Sequence, residues 1–340
     1  MIDWFEIKKE ISDGYVYAQR HPTAQLTILN YTQKAQYDWH WSDATKACRG
    51  LIIDDGCNIV SRPFEKFFSY EQLNGEIPSE PFEAFEKLDG SLGILYHVGP
   101  TPFIATRGSF TSEQAIKATE IYRRKYDNVW LDRSKTYLFE IIYPDNRIVV
   151  DYGGTEDLFL LAVIDTATGK EVPLAEYEGR AFKTVKRYDG IDDFDSLLAN
   201  QEDGREGFVV RFQSGMRVKI KFEEYKRLHK LLTGVNPRHI WECLRAGTSL
   251  DDLVNRVPDE YFRWVKETEN DLRFAYAHTE AEVRKHMRFG GARRELAEYY
   301  KTCRHPSIMF AMLDGKDYSD MIWKQVKPDA RVTFTQDDAS

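Results

Sequence analysis

Short apolar runs divided by turn-forming residues fill the chain from residue 25 to 222, and this rhythm limits the possible folds more than any other feature. Such spacing belongs to strands rather than to long helices. Gln25-Leu26-Thr27-Ile28-Leu29-Asn30-Tyr31 predicts one strand. Residues 48–64 predict a hairpin, since Asp55-Gly56 supplies the positive φ angles of a type I′ turn. Residues 92–98 and 102–108 predict a second hairpin across Gly99-Pro100, and residues 204–212 and 216–222 a third across Gln213-Ser214-Gly215. Residues 136–143, 147–152 and 158–165 read as three more β-rich runs, parted by Pro144-Asp145 and Gly153-Gly154. A helix is expected at about 111–126, opened by Thr111/Ser112 with Glu113 and Gln114 in its first turn. Residues 1–24 read as a short helix and a polar loop, and 31–47 as an aromatic surface loop.

Beyond residue 225 the apolar period changes from two to three or four. EEYKRLHKLLTG reads as a helix stopping at Gly234, and Asn236-Pro237 opens another with Asn as cap and Pro at the first helical position. Ser249 and Pro258 begin further helices, the second running to about 287 before Gly290-Gly291. ARRELAEYYKTC and DYSDMIWKQV follow, and the tail from Pro328 reads as polar and loosely held. The expected class is α+β, with an antiparallel-sheet-rich domain over residues 1–234 and an all-helical domain over 235–340. A chain of 340 residues at 42% hydrophobic can bury two such cores.

Composition narrows the function. No apolar run approaches the roughly 18 residues that span a bilayer, and the start lacks a signal-peptide core. Cys48, Cys57, Cys243 and Cys303 are scattered, which suggests neither a disulfide framework nor a thiolate zinc site, and the eight histidines show no metal-ligand spacing. A soluble, cytoplasmic protein with no membrane partner is expected. The net charge of −8, from 47 Lys+Arg against 55 Asp+Glu, counts against a non-specific nucleic-acid binder. It leaves room for a local cationic pocket.

Several residues of the first domain carry chemistry. Lys87 precedes Leu88-Asp89-Gly90, where a lysine entering a tight Asp-Gly turn could present a nucleophilic amine. Lys219 and Lys221 alternate along a strand and so share a face. Glu140 and Glu206 lie in or beside strands among apolar residues, and Arg49, Lys66 and Arg107 lie at strand ends or turns. Each alone has a plain structural reading: a solvated loop lysine, the wet side of an amphipathic strand, an edge-strand or loop glutamate. Phe67 and Phe68 read most simply as core.

Their order, however, resembles the covalent nucleotidyltransferase superfamily of ATP-dependent ligases and capping enzymes. The matching elements are Lys87-Leu88-Asp89-Gly90, Arg107-Gly108-Ser109, the Glu140 strand LFEII, the strand LFLLAVI, Glu206-Gly207-Phe208-Val209-Val210 and Lys219-Ile220-Lys221. Arg49-Gly50, Pro63-Phe64-Glu65-Lys66-Phe67-Phe68 and Pro144-Asp145-Asn146-Arg147 are similar to the bacteriophage-type tRNA-repair branch, the RNA ligase 1 family. The resemblance covers about residues 45–225. Leu88 stands where a polar residue is more usual, and Arg107 where a lysine often stands.

The resemblance implies an ATP-dependent RNA ligase needing Mg²⁺ or Mn²⁺. Lys87 would form a covalent lysyl-AMP, with Lys219 and Lys221 lowering the pKa of its amine from about 10.4 and completing the catalytic set. Arg49, Lys66, Phe68, Gly90, Arg107, Glu140, Lys219 and Lys221 would bind ATP: Glu140 at the ribose, Phe68 near the adenine, Arg49 and Lys66 on phosphates. Glu206 would orient the metal. The partner implied is RNA with 5′-phosphate and 3′-OH ends, such as broken tRNA, with or without an end-healing kinase/phosphatase, and the helical domain would choose the substrate. A capping guanylyltransferase or DNA ligase is the neighbouring reading, but both usually carry an OB-fold after the Lys-x-Lys strand. A non-catalytic RNA-end or nucleotide-binding protein is the alternative of another class, although a binder needs no nucleophile.

Overall fold

Alternation of side chains between core and surface sorts the strands into mostly antiparallel ladders, which assemble three sheets. The computed structural model describes residues 3–191, 193–227, 236–250 and 262–328. The chain divides into two compact units, residues 1–232 and 233–340.

In the first unit the strands are β1 (Val16–Arg20), β2 (Leu26–Tyr31), β3 (Arg49–Asp54), β4 (Ile59–Ser61), β5 (Phe68–Ser69), β6 (Phe82–Lys87), β7 (Ser91–Val98) and β8 (Thr101–Thr106). They continue with β9 (Lys135–Ile142), β10 (Asp157–Asp165), β11 (Glu171–Val172), β12 (Lys183–Thr184), β13 (Arg187–Tyr188), β14 (Gly207–Phe212) and β15 (Arg217–Lys221). The helices of this unit are α1 (Trp4–Ser12), α2 (Gln33–Tyr37), α3 (Asp43–Ala47), α4 (Glu113–Tyr126) and α5 (Phe194–Ala199). One sheet runs β1-β2-β3-β4, a second β11-β10-β9-β7-β8 with β12 beside β10, and a third β13-β6-β14-β15-β5.

The second sheet is buried on both faces. Leu95, Phe139, Ile141 and Leu158 meet Ala118, Ile121 and Tyr122 of α4 on one side. Their neighbours Ile94, Tyr96 and Leu138 meet Leu26, Ile28 and Ile52 of the first sheet on the other. Ile7 of α1 and Ala44 of α3 cover the far side of that first sheet, against Leu29 and Leu51. The third sheet has its own core of Ala84, Phe208, Val210, Val218 and Ile220.

The three expected hairpins form, but four local readings change. Residues 16–20 are a strand and not a loop, because β1 pairs with β2 over five positions. Within 31–47 the chain makes α2 and α3, capped by the Thr32 and Ser42 side chains, which accept from the Ala35 and Thr45 N–H groups. At Asp55-Gly56 the left-handed residue is Cys57, at φ 62°, and the Asp54 carboxylate holds the loop by accepting the Asn58 N–H at 2.8 Å. This is a longer hairpin loop than the two-residue type I′ turn. Residues 147–152 are not a strand, for a reason that belongs to the site.

In the second unit, α6 (Pro237–Ala246) starts at the expected Asn236 cap and ends at Gly247, φ 65°. It is followed by α7 (Phe262–His286), α8 (Arg293–Lys301), α9 (Pro306–Leu313) and α10 (Ser319–Gln325), of which α9 has no counterpart in the sequence reading. Val283, Leu296, Tyr300, Ile308, Met309 and Ile322 form its core. Residues 223–227, at the end of the first unit, are helical. The stop expected at Gly234, the starts expected after Ser249 and at Pro258, and the tail from 329 lie outside the described residues. Among the described residues no helix is long and apolar enough to cross a membrane.

Candidate active site

Lys87 is the last residue of β6 in the third sheet, and Ser91 is the first of β7 in the second. Leu88-Asp89-Gly90 therefore hands the chain from one sheet to the other, where the sequence alone suggested a tight turn. Buried Asp89 anchors this crossing: one carboxylate oxygen accepts the N–H groups of Val149 and Val150, each at 2.8 Å, and the other accepts the Tyr225 hydroxyl at 2.8 Å. Those bonds explain why residues 147–152 form no ladder, since the central N–H groups of Val149 and Val150 are taken by a side chain. The Asp89 N–H donates to the Tyr152 hydroxyl at 2.8 Å. Gly90 presses on β9, where a Cβ would lie 2.6 Å from the Ile141 carbonyl oxygen, and its N–H donates to Glu140 Oε1 at 2.9 Å.

Register brings the cations together. Lys87 faces Gly207 on one side of β14, and Gly207 faces Lys221 on the other, so the two lysines lie on one face with no side chain between them. Glu206 reaches into this gap. Its carboxylate is 4% exposed, and Oε1 lies 2.7 Å from Lys87 Nζ and 3.3 Å from Lys221 Nζ. Gly207 stands at φ 149°, and a Cβ there would fall 1.9 Å from the Ile220 carbonyl oxygen. Gly207→Ala is therefore expected to cost at least about 2 kcal/mol in urea denaturation, from backbone strain and collision with β15. An unchanged midpoint would contradict the close approach.

Burial is the main cause that pushes the Glu140 carboxyl up to about 8; the Lys87 ammonium pulls it down and Glu206 pushes it further up. A raised carboxyl means that the folded chain holds a proton the unfolded chain gives up near 4.5. The stability tied to that proton is fully present below about 4.5 and is lost as pH rises through about 8. Glu140→Gln is expected to flatten the fall of the denaturation midpoint over this window. A variant whose midpoint falls as steeply as the parent's would contradict the assignment.

The remaining cations cluster on aromatic rings. Lys219, two residues before Lys221, places Nζ 5.7 Å from the Phe67 ring centroid, and the Arg49 guanidinium lies 5.3 Å from the same ring. Lys66 is buried, with Nζ at 5.5 Å from Tyr31, 5.1 Å from Trp41 and 5.4 Å from Phe68. Arg107 donates to the Tyr31 hydroxyl at 2.9 Å. Gly50, at φ 93°, lets β3 approach the Arg107 backbone, 3.0 Å from where a Cβ would stand. Thus Lys87, Lys221, Glu206, Glu140 and Gly90 form one linked group, Arg49 and Lys219 share Phe67, and Lys66 and Arg107 share Tyr31. Phe68 rests against Trp39 and Trp41, so the aromatic beside Lys219 is Phe67.

Tyr31, Trp41, Tyr152 and Tyr225 were not singled out from the sequence. Local sequence marks Asp89 only as a turn former; its place inside the Lys87 motif is the signal for more.

Comparison with known proteins decides the family. A family model described as RNA ligase matches residues 47–226, more than half of the chain and every site residue just described except Tyr31, Trp39 and Trp41. The chain belongs to the RNA ligase family. It is 26% identical to a protein of Autographa californica nuclear polyhedrosis virus named as a bifunctional polynucleotide kinase/RNA ligase, covering 74% of this chain and 40% of that one. It is also 26% identical to the RNA ligase of Rhodothermus phage RM378, covering 80% of this chain and 82% of that one. The chain thus spans less than half of the viral relative and most of the phage relative. Among solved structures, a Naegleria gruberi RNA ligase with PPi aligns at TM-score 0.36 and 20% identity over 44% of this chain and 52% of that one. An Aquifex aeolicus protein named as an ATP-dependent DNA ligase aligns at TM-score 0.46 and 15% identity over 93% and 100%.

Proposed function

We propose that this member of the RNA ligase family seals RNA strands with ATP through a covalent AMP on Lys87. The observation that carries the reading is the Lys87 nitrogen held 2.7 Å from Glu206, with Lys221 across the side-chain-free gap at Gly207. A lysine at a sheet crossing, in a motif braced by the bonds of Asp89 and by the Glu140 bond to Gly90, is oriented as a nucleophile must be.

Three displacements follow. The Lys87 amine attacks the α-phosphorus of ATP; a P–N bond forms, the bond to the β-phosphate oxygen breaks, pyrophosphate leaves and the amine sheds a proton. An oxygen of the RNA 5′-phosphate then attacks the same phosphorus and frees Lys87. Finally the 3′-hydroxyl attacks the RNA phosphorus, forms the 3′-5′ phosphodiester and expels AMP. Lys219, Lys221, Arg49, Lys66 and Arg107 supply positive charge to the phosphates, because phosphoryl transfer rests on positioning and electrostatics. Glu140 receives the ribose, and Phe68 lies toward the base.

Mg²⁺ or Mn²⁺ would add charge neutralisation at the phosphates. The site suits such an ion: Glu206, a buried carboxylate turned into the cationic gap, would be its protein ligand, since one or two carboxylates suffice when phosphates and water complete the shell. Among the described residues no cluster of three His, Cys, Asp or Glu makes a closed protein cage. The four cysteines are free, which supports work in a reducing compartment such as the cytoplasm. The second unit would bind and select the RNA, broken tRNA being the substrate class expected, with ends healed beforehand by a kinase/phosphatase where needed.

The test uses the full chain, ATP, Mg²⁺ and single-stranded, nicked and gapped RNAs carrying a labelled 5′-phosphate and a 3′-hydroxyl. Sealing makes the label resistant to phosphatase with ATP and not with GTP. Label that stays phosphatase-sensitive on every RNA would refute the reading.

A further inference from the structure

In a chain of net charge −8, residues 284–294 read Arg-Lys-His-Met-Arg-Phe-Gly-Gly-Ala-Arg-Arg, with five Lys/Arg and no acidic residue. The stretch joins the end of α7 to the start of α8. Its geometry is built. The buried Tyr300 hydroxyl donates to the Arg288 carbonyl at 2.6 Å and meets the Arg288 N–H at 3.3 Å, pinning the loop at that residue. The Arg288 guanidinium lies 3.6 Å from the Tyr299 ring centroid, so it is held as a flat stacked cation. Immediately beyond it Phe289 is 77% exposed, before Gly290 and Gly291 at φ 100° and 104°. Arg284 and Arg293 are tied to Glu280 and Asp314, while Lys285, His286 and Arg294 are exposed.

The feature continues along α7. Phe274, His278, Ala281 and Lys285 follow the i, i+4, i+7, i+11 spacing of one helix stripe, and all four are exposed. Phe274 is 72% exposed with its ring 6.1 Å from that of His278. Phe274 and Phe289, exposed at the two ends of this run with Lys285 between them, do nothing for this unit's core, which lies on the opposite residues Leu272 and Val283. They match a flexible polyanion with flat bases: cations take phosphates, rings take base faces.

We propose that this ridge, from Phe274 along α7 to Phe289 and Arg294, is a docking track for single-stranded RNA, with Phe289 stacking on a base and Lys285 and Arg294 on phosphates. The inference rests on the RNA ligase reading and gives its substrate contacts in the second unit.

The test measures binding of a fluorescent single-stranded RNA with a 5′-phosphate to the full chain over a range of salt, for the parent, Phe289→Ala and Lys285→Ala/Arg294→Ala. Phe289→Ala is expected to weaken binding roughly tenfold with the salt slope unchanged, as for one lost base stack. The double variant is expected to lower the slope of log K against log salt by about 1.4, two phosphate contacts at about 0.7 each. Both variants should keep the parent's melting temperature and its covalent labelling by ATP, since the exposed ridge is remote in sequence from Lys87. Parent-like affinity and slope in both variants, with labelling intact, would overturn the track, the ridge then serving a protein partner. Absence of labelling in the parent itself would instead strike the ligase reading.

Discussion

A Lys87→Ala chain folds and takes up no covalent AMP. Labelling is expected to fall below detection, because among the described residues no other amine comes from the segment that crosses between β6 and β7, Lys221 lying on the far side of Gly207. The fold survives for an electrostatic reason. Removing one partner of a buried ion pair is severe when it strands the other charge, at roughly 3–5 kcal/mol. Glu206 would not be stranded, since Lys221 stays 3.3 Å away. The stability change is therefore expected to be within about 1 kcal/mol, well inside what urea denaturation resolves. A Lys87→Ala protein that still labels with α-labelled ATP would refute the nucleophile. One that fails to fold would refute the shared-carboxylate geometry.

Asp89→Ala should be the most destabilising of the site variants. The carboxylate is 3% exposed and accepts three hydrogen bonds, two from backbone N–H groups of residues 149 and 150 and one from Tyr225. Losing the acceptor leaves buried donors without partners, at about 1–3 kcal/mol each, so a total of about 3–5 kcal/mol is expected after partial relaxation. Asp89→Asn keeps an oxygen in place and should lose less than half as much. Covalent labelling should fall with Asp89→Ala even at temperatures where the chain stays folded, since the residue beside the nucleophile is no longer tied to residues 147–152. A loss below about 1 kcal/mol for Asp89→Ala would mean that the bracing is not needed.

Much of this site was legible from residue order. The alternation Lys219-Ile220-Lys221 gave two cations on one face, and the hairpin of β14 and β15 sets the register that brings Lys221 opposite Gly207 and Lys87. What escaped were tertiary hydrogen bonds that override local pattern. Arg147-Ile148-Val149-Val150 has the composition of a strand, but the Val149 and Val150 N–H groups belong to Asp89, about sixty residues earlier in the chain, and the Arg147 N–H donates to the Pro144 carbonyl. The aromatic loop at 31–47 was hidden by its tryptophans, although Thr32 and Ser42 carried the cap signal. That Phe67 lies beside Lys219 while Phe68 packs on Trp39 and Trp41 could not be read from the sequence, since the strand there, β5, has two residues and shows no period.

The central claim is that Lys87 carries the AMP, and peptide mapping of the parent chain tests it most directly. After incubation with ATP and Mg²⁺, the protein is digested with trypsin and the AMP adduct located by mass. Trypsin cannot cut after a modified lysine, so the adduct is predicted on the uncut peptide 67–107, with AMP on Lys87. An adduct on Lys66, Lys219 or Lys221, or none at all, would contradict the account.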